Sequence, residues 1–171
     1  MHARSHAHHD HGRCAHAGRQ AARARDALAR AEAACRAKGA RLTPVRRRVL
    51  EALYATYRPL GAYDIAEALP AEDGRRRLAP ITIYRALEFL IEQGLVHRLA
   101  SRNAFVACPH GHGPRDLVAF LICERCGGVD ELSSAGLAEA LSHALAGEGF
   151  KPHLQVLEIS GVCAHCRGSA A

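Results

Sequence analysis

The chain has 171 residues and a formal net charge of +6 at pH 7, with seven cysteines and aromatic side chains at only 5% of positions. This length allows one domain or two small ones, and a small core without tryptophan is marginal unless something such as a metal ion stabilises it. We find neither a secretory signal nor an apolar run that could span a bilayer, so we expect a cytoplasmic protein with reduced cysteines and no membrane partner.

The charge is distributed unevenly along the chain. The first 48 residues carry twelve Lys or Arg against three Asp or Glu, whereas residues 103–171 carry four against seven. A basic N-terminal part and an acidic C-terminal part predict a polyanionic partner for the N-terminal part only. An ordinary solvated surface is the alternative that charge alone leaves open.

Residues 1–18 form a low-complexity segment that holds six of the twelve histidines. This segment has too little apolar surface to fold, so we expect a disordered His-rich tail. Such a tail could collect transition metals loosely, or it could be inert.

Four helices are predicted in the first half of the chain. The first spans residues 19–38 and ends at Gly39, and the second begins at Pro44 with Thr43 as its N-cap. The second helix carries three arginines, residues 46–48, in its first turn, where they oppose the helix macrodipole. A nearby phosphate backbone would favour arginines at this position.

A third helix at residues 62–69 is followed by a fourth, which begins at Pro80 and ends at Gly94. The apolar residues of the fourth helix predict one buried face: Ile83, Leu87, Leu90 and Ile91. Its polar residues fall largely on the other side: Thr82, Tyr84, Arg85 and Glu88. Three short helices and a fourth with an exposed polar face are typical of a helix-turn-helix protein.

Two short strands, residues 95–99 and 104–107, follow the fourth helix and are joined by a polar turn. They predict a β-hairpin, which after a helix-turn-helix would be the wing of a winged helix. Beyond Cys108 we expect a loop with two histidines and then a strand–strand–helix–strand order. These elements are predicted at residues 117–123, 129–132, 133–146 and 154–160.

Two cysteine pairs, Cys123 with Cys126 and Cys163 with Cys166, have the same two-residue gap and lie thirty-six residues apart. Two such pairs can complete one tetrahedral Cys₄ zinc site. The alternatives are reduced core cysteines or a redox dithiol. The redox reading is weaker because no βαβ unit begins with either pair.

These motifs together resemble the ferric uptake regulator family, and within it the zinc-sensing branch. The resemblance covers about residues 25–168 and rests on five stretches in family order: Arg41-Leu-Thr-Pro-Val-Arg46, Ala62-Tyr-Asp-Ile65, Thr82-Ile-Tyr-Arg-Ala-Leu87, Cys123-Glu-Arg-Cys-Gly127 and Cys163-Ala-His-Cys166. It implies an α+β fold with an N-terminal winged helix-turn-helix domain at residues 19–107. A small α/β dimerisation domain with a Cys₄ zinc site would follow at residues 108–171.

The resemblance also implies two zinc ions per subunit. One would be structural, at the four paired cysteines, and one regulatory, near the hinge between the domains, at His97, Cys108 and Glu131. The family has a histidine as the fourth regulatory ligand, where this chain has Asp116. Either Asp116 is the ligand, or His110 or His112 replaces it; we favour His112.

The function implied is a zinc-responsive repressor that binds an inverted-repeat DNA operator as a homodimer and controls zinc uptake genes. Arg85 would read a base, Tyr84 and Thr82 would lie on the same contact surface, and Arg46 would contact the phosphate backbone. Because Cys108 adds a soft thiolate to the regulatory set, zinc is favoured over iron or manganese.

Three other functions are weighed against this one. A sister regulator that responds to iron, manganese or peroxide would have the same fold. A zinc-buffering protein would explain the His-rich tail but not the Arg-rich second helix. A zinc hydrolase or deaminase is disfavoured, because the chain has no His-x-Glu motif and neither cysteine pair follows a proline. We therefore expect no enzyme activity and no small-molecule substrate.

Overall fold

The computed structural model describes residues 15–71, 78–108, 117–153 and 155–168, with side chains from residue 26 onward. Most of the predicted His-rich tail lies outside these residues. So do three of the candidate regulatory ligands: His110, His112 and Asp116.

The described elements follow the predicted order. The helices are α1 (Ala15–Ala37), α2 (Pro44–Tyr54), α3 (Ala62–Ala68), α4 (Pro80–Glu92), α5 (Ala135–Gly147) and α6 (Ala164–Gly168). The strands are β1 (Val96–Leu99), β2 (Ala104–Ala107), β3 (Val118–Cys123), β4 (Val129–Leu132) and β5 (Val156–Gly161). A short 3₁₀ turn at Ala100–Arg102, called the wing turn below, joins β1 to β2. No described helix is long and apolar enough to cross a membrane.

Helices α1 to α4 and the β1–β2 hairpin share one aliphatic core. Its most deeply buried side chains include Val49, Leu50, Ile65, Ile83 and Leu90. Strands β1 and β2 pair antiparallel, and the backbone of Phe105 on β2 also pairs with Leu60 before α3. This arrangement is the winged helix that the sequence predicts.

Three details differ from the sequence-based expectations. Helix α1 begins at Ala15, four residues inside the segment expected to be a tail, in a stretch rich in helix-favouring Ala and Arg. Thr43 occupies the N-cap position of α2, but its side chain accepts no capping hydrogen bond. Ile91, expected on the buried face of α4, is 38% exposed because it lies one residue past the stripe that ends at Leu90.

The C-terminal part is a three-stranded sheet with the order β4-β3-β5. Strand β3 pairs antiparallel with β4 and parallel with β5, so α5 serves as the crossover. Residues that pair across strands share a face, which places Phe120, Glu131 and Glu158 in one row. That face packs against the wing, in a cluster that includes Leu99, Phe120 and Ile122.

Part of the opposite face of this sheet is exposed. Leu121 is 39% exposed and Ile159 is 48% exposed, although they are neighbours on β3 and β5. Helix α5 has no buried residue, and Phe150, just beyond its end, is 62% exposed. An apolar sheet face and an apolar helix without cover are typical of a surface that buries itself against another chain.

Candidate metal centres and DNA-binding surface

The two cysteine pairs meet at one edge of the C-terminal sheet. Cys123 ends β3, and Cys163 follows β5. Because these strands are parallel, their carboxyl ends lie side by side, and Cys123 pairs with Gly161 in the ladder. The four sulfur atoms of Cys123, Cys126, Cys163 and Cys166 all lie within 4.8 Å of one another.

Backbone N–H groups point at these sulfur atoms. Gly128 N–H donates to the sulfur of Cys126, Cys163 N–H to that of Cys123 and Cys166 N–H to that of Cys163, each at 3.4 Å. Burial raises the pKa of Cys123, but backbone donors outweigh it and lower the pKa to about 6. Burial and side-chain hydrogen bonds with Cys163 and Cys123 raise the pKa of Cys166 to about 11. The lowered pKa therefore favours a thiolate at Cys123 even without a metal ion, and a bound metal ion would displace the protons of the other thiols.

The geometry fits zinc. Tetrahedral Zn–S bonds of about 2.3 Å place the sulfur atoms roughly 3.8 Å apart, which is compatible with four sulfur atoms that all lie within 4.8 Å of one another. Gly127, which directly follows the first pair, has a φ of +71° and allows the tight turn that returns the chain to β4. Four thiolates close such a site, leaving no position for a substrate.

A second cluster lies between the winged helix and the C-terminal sheet. His97 on β1, Cys108 just after β2 and Glu131 on β4 place their ligand atoms within 4.8 Å of one another. The imidazole of His97 packs against the ring of Phe120, with centroids 5.2 Å apart. We call these three residues the hinge site.

Tyr54 supports the hinge site from α2. Its hydroxyl donates a hydrogen bond of 3.0 Å to the carbonyl of Cys108. Burial, with a smaller contribution from the Cys108 thiol, raises the pKa of Tyr54 to about 12, so the hydroxyl remains a donor at physiological pH. The structure thus brings together three of the predicted regulatory ligands, while the fourth stays a prediction because its candidates lie outside the described residues.

The expected DNA-contacting residues lie around α4. Tyr84 is 38% exposed, Arg85 is exposed and Thr82 is half-buried. The guanidinium of Arg46 lies 3.4 Å from the centroid of the Phe89 ring, which is one turn beyond Arg85 on the same helix. These positions are compatible with a basic surface along α4, the helix expected to contact DNA and called the recognition helix below.

The other two arginines of α2 are engaged within the protein. Arg47 forms ion pairs with Glu32 and Glu51, and Arg48 donates to the carbonyl of Pro70. Arg46 also has a partner, because it donates to the carbonyl of Arg41 at 2.7 Å. We keep the expected phosphate contact for Arg46 alone, because its guanidinium lies over Phe89 on α4, beside the expected DNA-contacting residues. Sequence periodicity could not reveal two of these partners, because Glu32 lies 15 residues from Arg47 and Pro70 lies 22 residues from Arg48.

Sequence reasoning also missed two contacts between the domains. Arg58 donates to the carbonyl of Cys126 at 2.9 Å, and the Glu158 carboxylate accepts hydrogen bonds from the wing turn. Each joins residues more than fifty positions apart, so no local pattern signals them.

The sequence matches a known protein family and a known protein over most of its length. Residues 37–160 match the model of the ferric uptake regulator family. The chain is 39% identical over 140 residues to the zinc uptake regulation protein of Escherichia coli (strain K12), covering 81% of this chain and 80% of that protein.

Solved structures show the same relationship. A zinc uptake regulator complexed with zinc and DNA superposes with a TM-score of 0.76 at 36% identity, covering 85% of this chain and 95% of that one. Holo XcZur superposes with a TM-score of 0.73, covering 83% and 97%, whereas apo XcZur reaches only 0.50, covering 85% and 99%. Both XcZur structures are 39% identical to this chain, and the structure as a whole resembles the holo form more than the apo form.

Proposed function

The chain belongs to the ferric uptake regulator family, and we propose that it is a zinc-responsive, DNA-binding repressor of zinc uptake genes. Its similarity to zinc uptake regulators, in sequence and in a structure that contains zinc and DNA, supports this assignment. A regulator of this kind acts by binding rather than by catalysis, and its place would be the cytoplasm, where its DNA is.

The hinge site is the observation that carries the proposal. His97 belongs to the wing, Glu131 belongs to the C-terminal sheet and Cys108 lies at the junction between them. An ion held by all three would tie the two domains together through coordination bonds. Such an ion favours the arrangement in which the ligands converge, and therefore shifts the population toward it.

The donor set supports zinc as the sensed metal. One imidazole, one thiolate and one carboxylate suit tetrahedral zinc, whereas iron(II) or manganese(II) sites more naturally use nitrogen and oxygen alone. The fourth donor would be His112, His110 or Asp116. With the Cys₄ site, each subunit would then hold one structural and one regulatory zinc ion.

We further propose that the protein is a homodimer. The exposed part of the sheet face, around Leu121 and Ile159, and the uncovered helix α5 supply an apolar surface for a second copy. A two-fold dimer presents two recognition helices in opposite orientations, which matches an inverted-repeat operator. In each half-site Arg85, Tyr84 and Thr82 would face bases or backbone, and Arg46 would contact a phosphate.

The proposal is tested by following binding to the protein's own upstream DNA by fluorescence anisotropy, under anaerobic conditions with buffered free metal. We expect zinc to stimulate binding at lower free concentrations than iron(II) or manganese(II). Cys108→Ser should keep the structural zinc ion and the dimer but lose the stimulation by zinc. If iron or manganese activates within its cellular range and zinc adds nothing, the zinc assignment fails and a sister regulator replaces it.

A further inference from the structure

The carboxylate of Glu158 on β5 binds the start of the wing turn. It accepts hydrogen bonds from the backbone N–H of Ala100 at 2.6 Å and of Ser101 at 3.1 Å, and from the hydroxyl of Ser101. These N–H groups begin a helical turn and have no partner within it. One charged acceptor from the C-terminal sheet thus satisfies three donors of the winged helix, and hydrogen bonds to a charged group are the strong ones.

The protonation state of Glu158 agrees with this role. Burial raises the pKa of the carboxyl group, but the hydrogen bonds from Ser101 and Ala100 outweigh burial and lower it. The group is therefore ionised, and accepts all three bonds, at physiological pH.

This contact lies beside the hinge site but is separate from it. Phe120 on the central strand pairs with Glu131 on one side and with Glu158 on the other. The Cα atoms of the two glutamates are thus two strand spacings apart, roughly 10 Å, and their side chains leave the same face of the sheet. Glu131 reaches toward His97 on β1, and Glu158 reaches the turn that follows β1, so the same hairpin is held at two points.

The orientation of the hairpin in turn determines the orientation of the recognition helix, α4. Strand β1 follows α4 after a single turn, in which the N–H of Leu95 donates to the carbonyl of Leu90 at 2.9 Å. Leu90, Leu95 and Val96 are buried in the same core. A contact that orients the hairpin therefore also orients α4.

We propose that Glu158 is a positioning residue, an interdomain latch that holds the wing in the DNA-competent arrangement without touching metal, and so lowers the zinc concentration at which the protein binds its operator. This inference rests on the proposed zinc-responsive function. The latch and the hinge site favour the same arrangement, so the two are thermodynamically coupled. Removing the latch must then weaken zinc binding at the hinge site, although Glu158 is not a ligand.

The test compares the full-length wild type with Glu158→Gln, which keeps the side-chain size but removes the charge, and with Ser101→Ala, which removes one of the three donors. Glu148→Gln is the matched control, because it makes the same substitution at an exposed residue of the same sheet-and-helix unit. Free zinc for half-maximal operator binding is measured by anisotropy. Zinc affinity without DNA is measured by competition with a chelator.

We expect Glu158→Gln to raise the zinc concentration for half-maximal operator binding, and to weaken zinc binding without DNA, by about tenfold each. Ser101→Ala should change both quantities in the same direction by a smaller factor. Glu148→Gln should leave both unchanged, and saturating zinc should restore most of the operator affinity in every variant. An unchanged zinc requirement in Glu158→Gln would overturn the latch. So would a loss of operator affinity that is equal at limiting and saturating zinc, because that result indicates a direct DNA contact or a general loss of structure.

A second measurement separates this inference from the proposed function. Hydrogen exchange of the Ala100 and Ser101 amides, in protein with only its structural zinc ion, should be faster in Glu158→Gln than in the wild type. Equal exchange rates in the two proteins would overturn the latch whatever metal is sensed. If zinc fails to stimulate operator binding by the wild type, the proposed function fails instead.

Discussion

Arg58 joins the winged helix to the first cysteine pair. Its Nε atom donates a hydrogen bond of 2.9 Å to the carbonyl oxygen of Cys126, across 68 positions of sequence. The side chain also lies against Gly127, where an added Cβ would be 3.5 Å from Nε. The loop between α2 and α3 is therefore anchored on the Cys₄ cluster, which supports the winged helix as well as its own sheet.

Replacing Arg58 tests this anchor. In Arg58→Met the aliphatic part of the side chain remains, but the half-buried carbonyl of Cys126 loses its donor. We expect the free energy of unfolding of the zinc-loaded protein to fall by about 1–3 kcal/mol, measured by chemical denaturation. Arg36→Met, at an exposed residue of α1, is the control and should change it by no more than about 0.5 kcal/mol. Equal effects of the two substitutions would show that Arg58 contributes only as a surface residue.

Removing a paired cysteine should disrupt the C-terminal domain. Cys123→Ser or Cys166→Ser leaves three thiolates at a site where a bound zinc ion would join β3 to the segment after β5, and metal binding at such sites contributes directly to folding. We expect loss of one zinc ion per subunit together with unfolding of this domain or loss of the dimer. Elemental analysis and size-exclusion chromatography measure the two effects.

The matched control for this prediction is Cys35→Ala. Cys35 is buried in the core of the winged helix, far along the chain from the cysteine pairs, and belongs to no cluster of metal-ligand residues in the described part of the chain. The variant should keep its zinc content and its dimer. If Cys123→Ser also kept both, the structural assignment of the Cys₄ site would be wrong.

Arg85 should carry base discrimination. A bidentate contact from an arginine to guanine is worth about 1–3 kcal/mol against the wrong base. We expect Arg85→Ala to lower the affinity for the operator by that amount while its affinity for random duplex DNA falls much less. Competition binding with both duplexes at fixed salt gives the ratio. A loss of the same size on both duplexes would place Arg85 on the backbone instead.

We expect Arg46 to contribute to the binding of duplex DNA of any sequence. Its guanidinium is held over Phe89 and by the carbonyl of Arg41, and so is positioned before DNA arrives. We expect Arg46→Ala to weaken operator and random DNA alike and to reduce the slope of log affinity against log salt by about one. Arg47→Ala is the control. The guanidinium of Arg47 is already ion-paired with Glu32 and Glu51, so its removal should leave the slope nearly unchanged.

Local patterns in the sequence determined much of this protein. The apolar stripe of α4, the proline at the start of α2 and the two strands of the hairpin predicted the winged helix, and the structure confirms it. The matched spacing within each cysteine pair predicted that Cys123, Cys126, Cys163 and Cys166 would form one cluster, and they do. These features could be read from the sequence because helix periodicity, strand alternation and metal-ligand spacing all act over a few residues.

The tertiary structure decided which distant groups meet. Parallel pairing of β3 with β5 brings the second cysteine pair beside the first, and it also puts Glu158 against the wing turn. Packing likewise set the distant partners of Arg47, Arg48 and Arg58, which are Glu32, the carbonyl of Pro70 and the carbonyl of Cys126. A side chain's hydrogen bonds depend on what the fold places within about 3 Å of it, and no periodicity in the sequence records that neighbour.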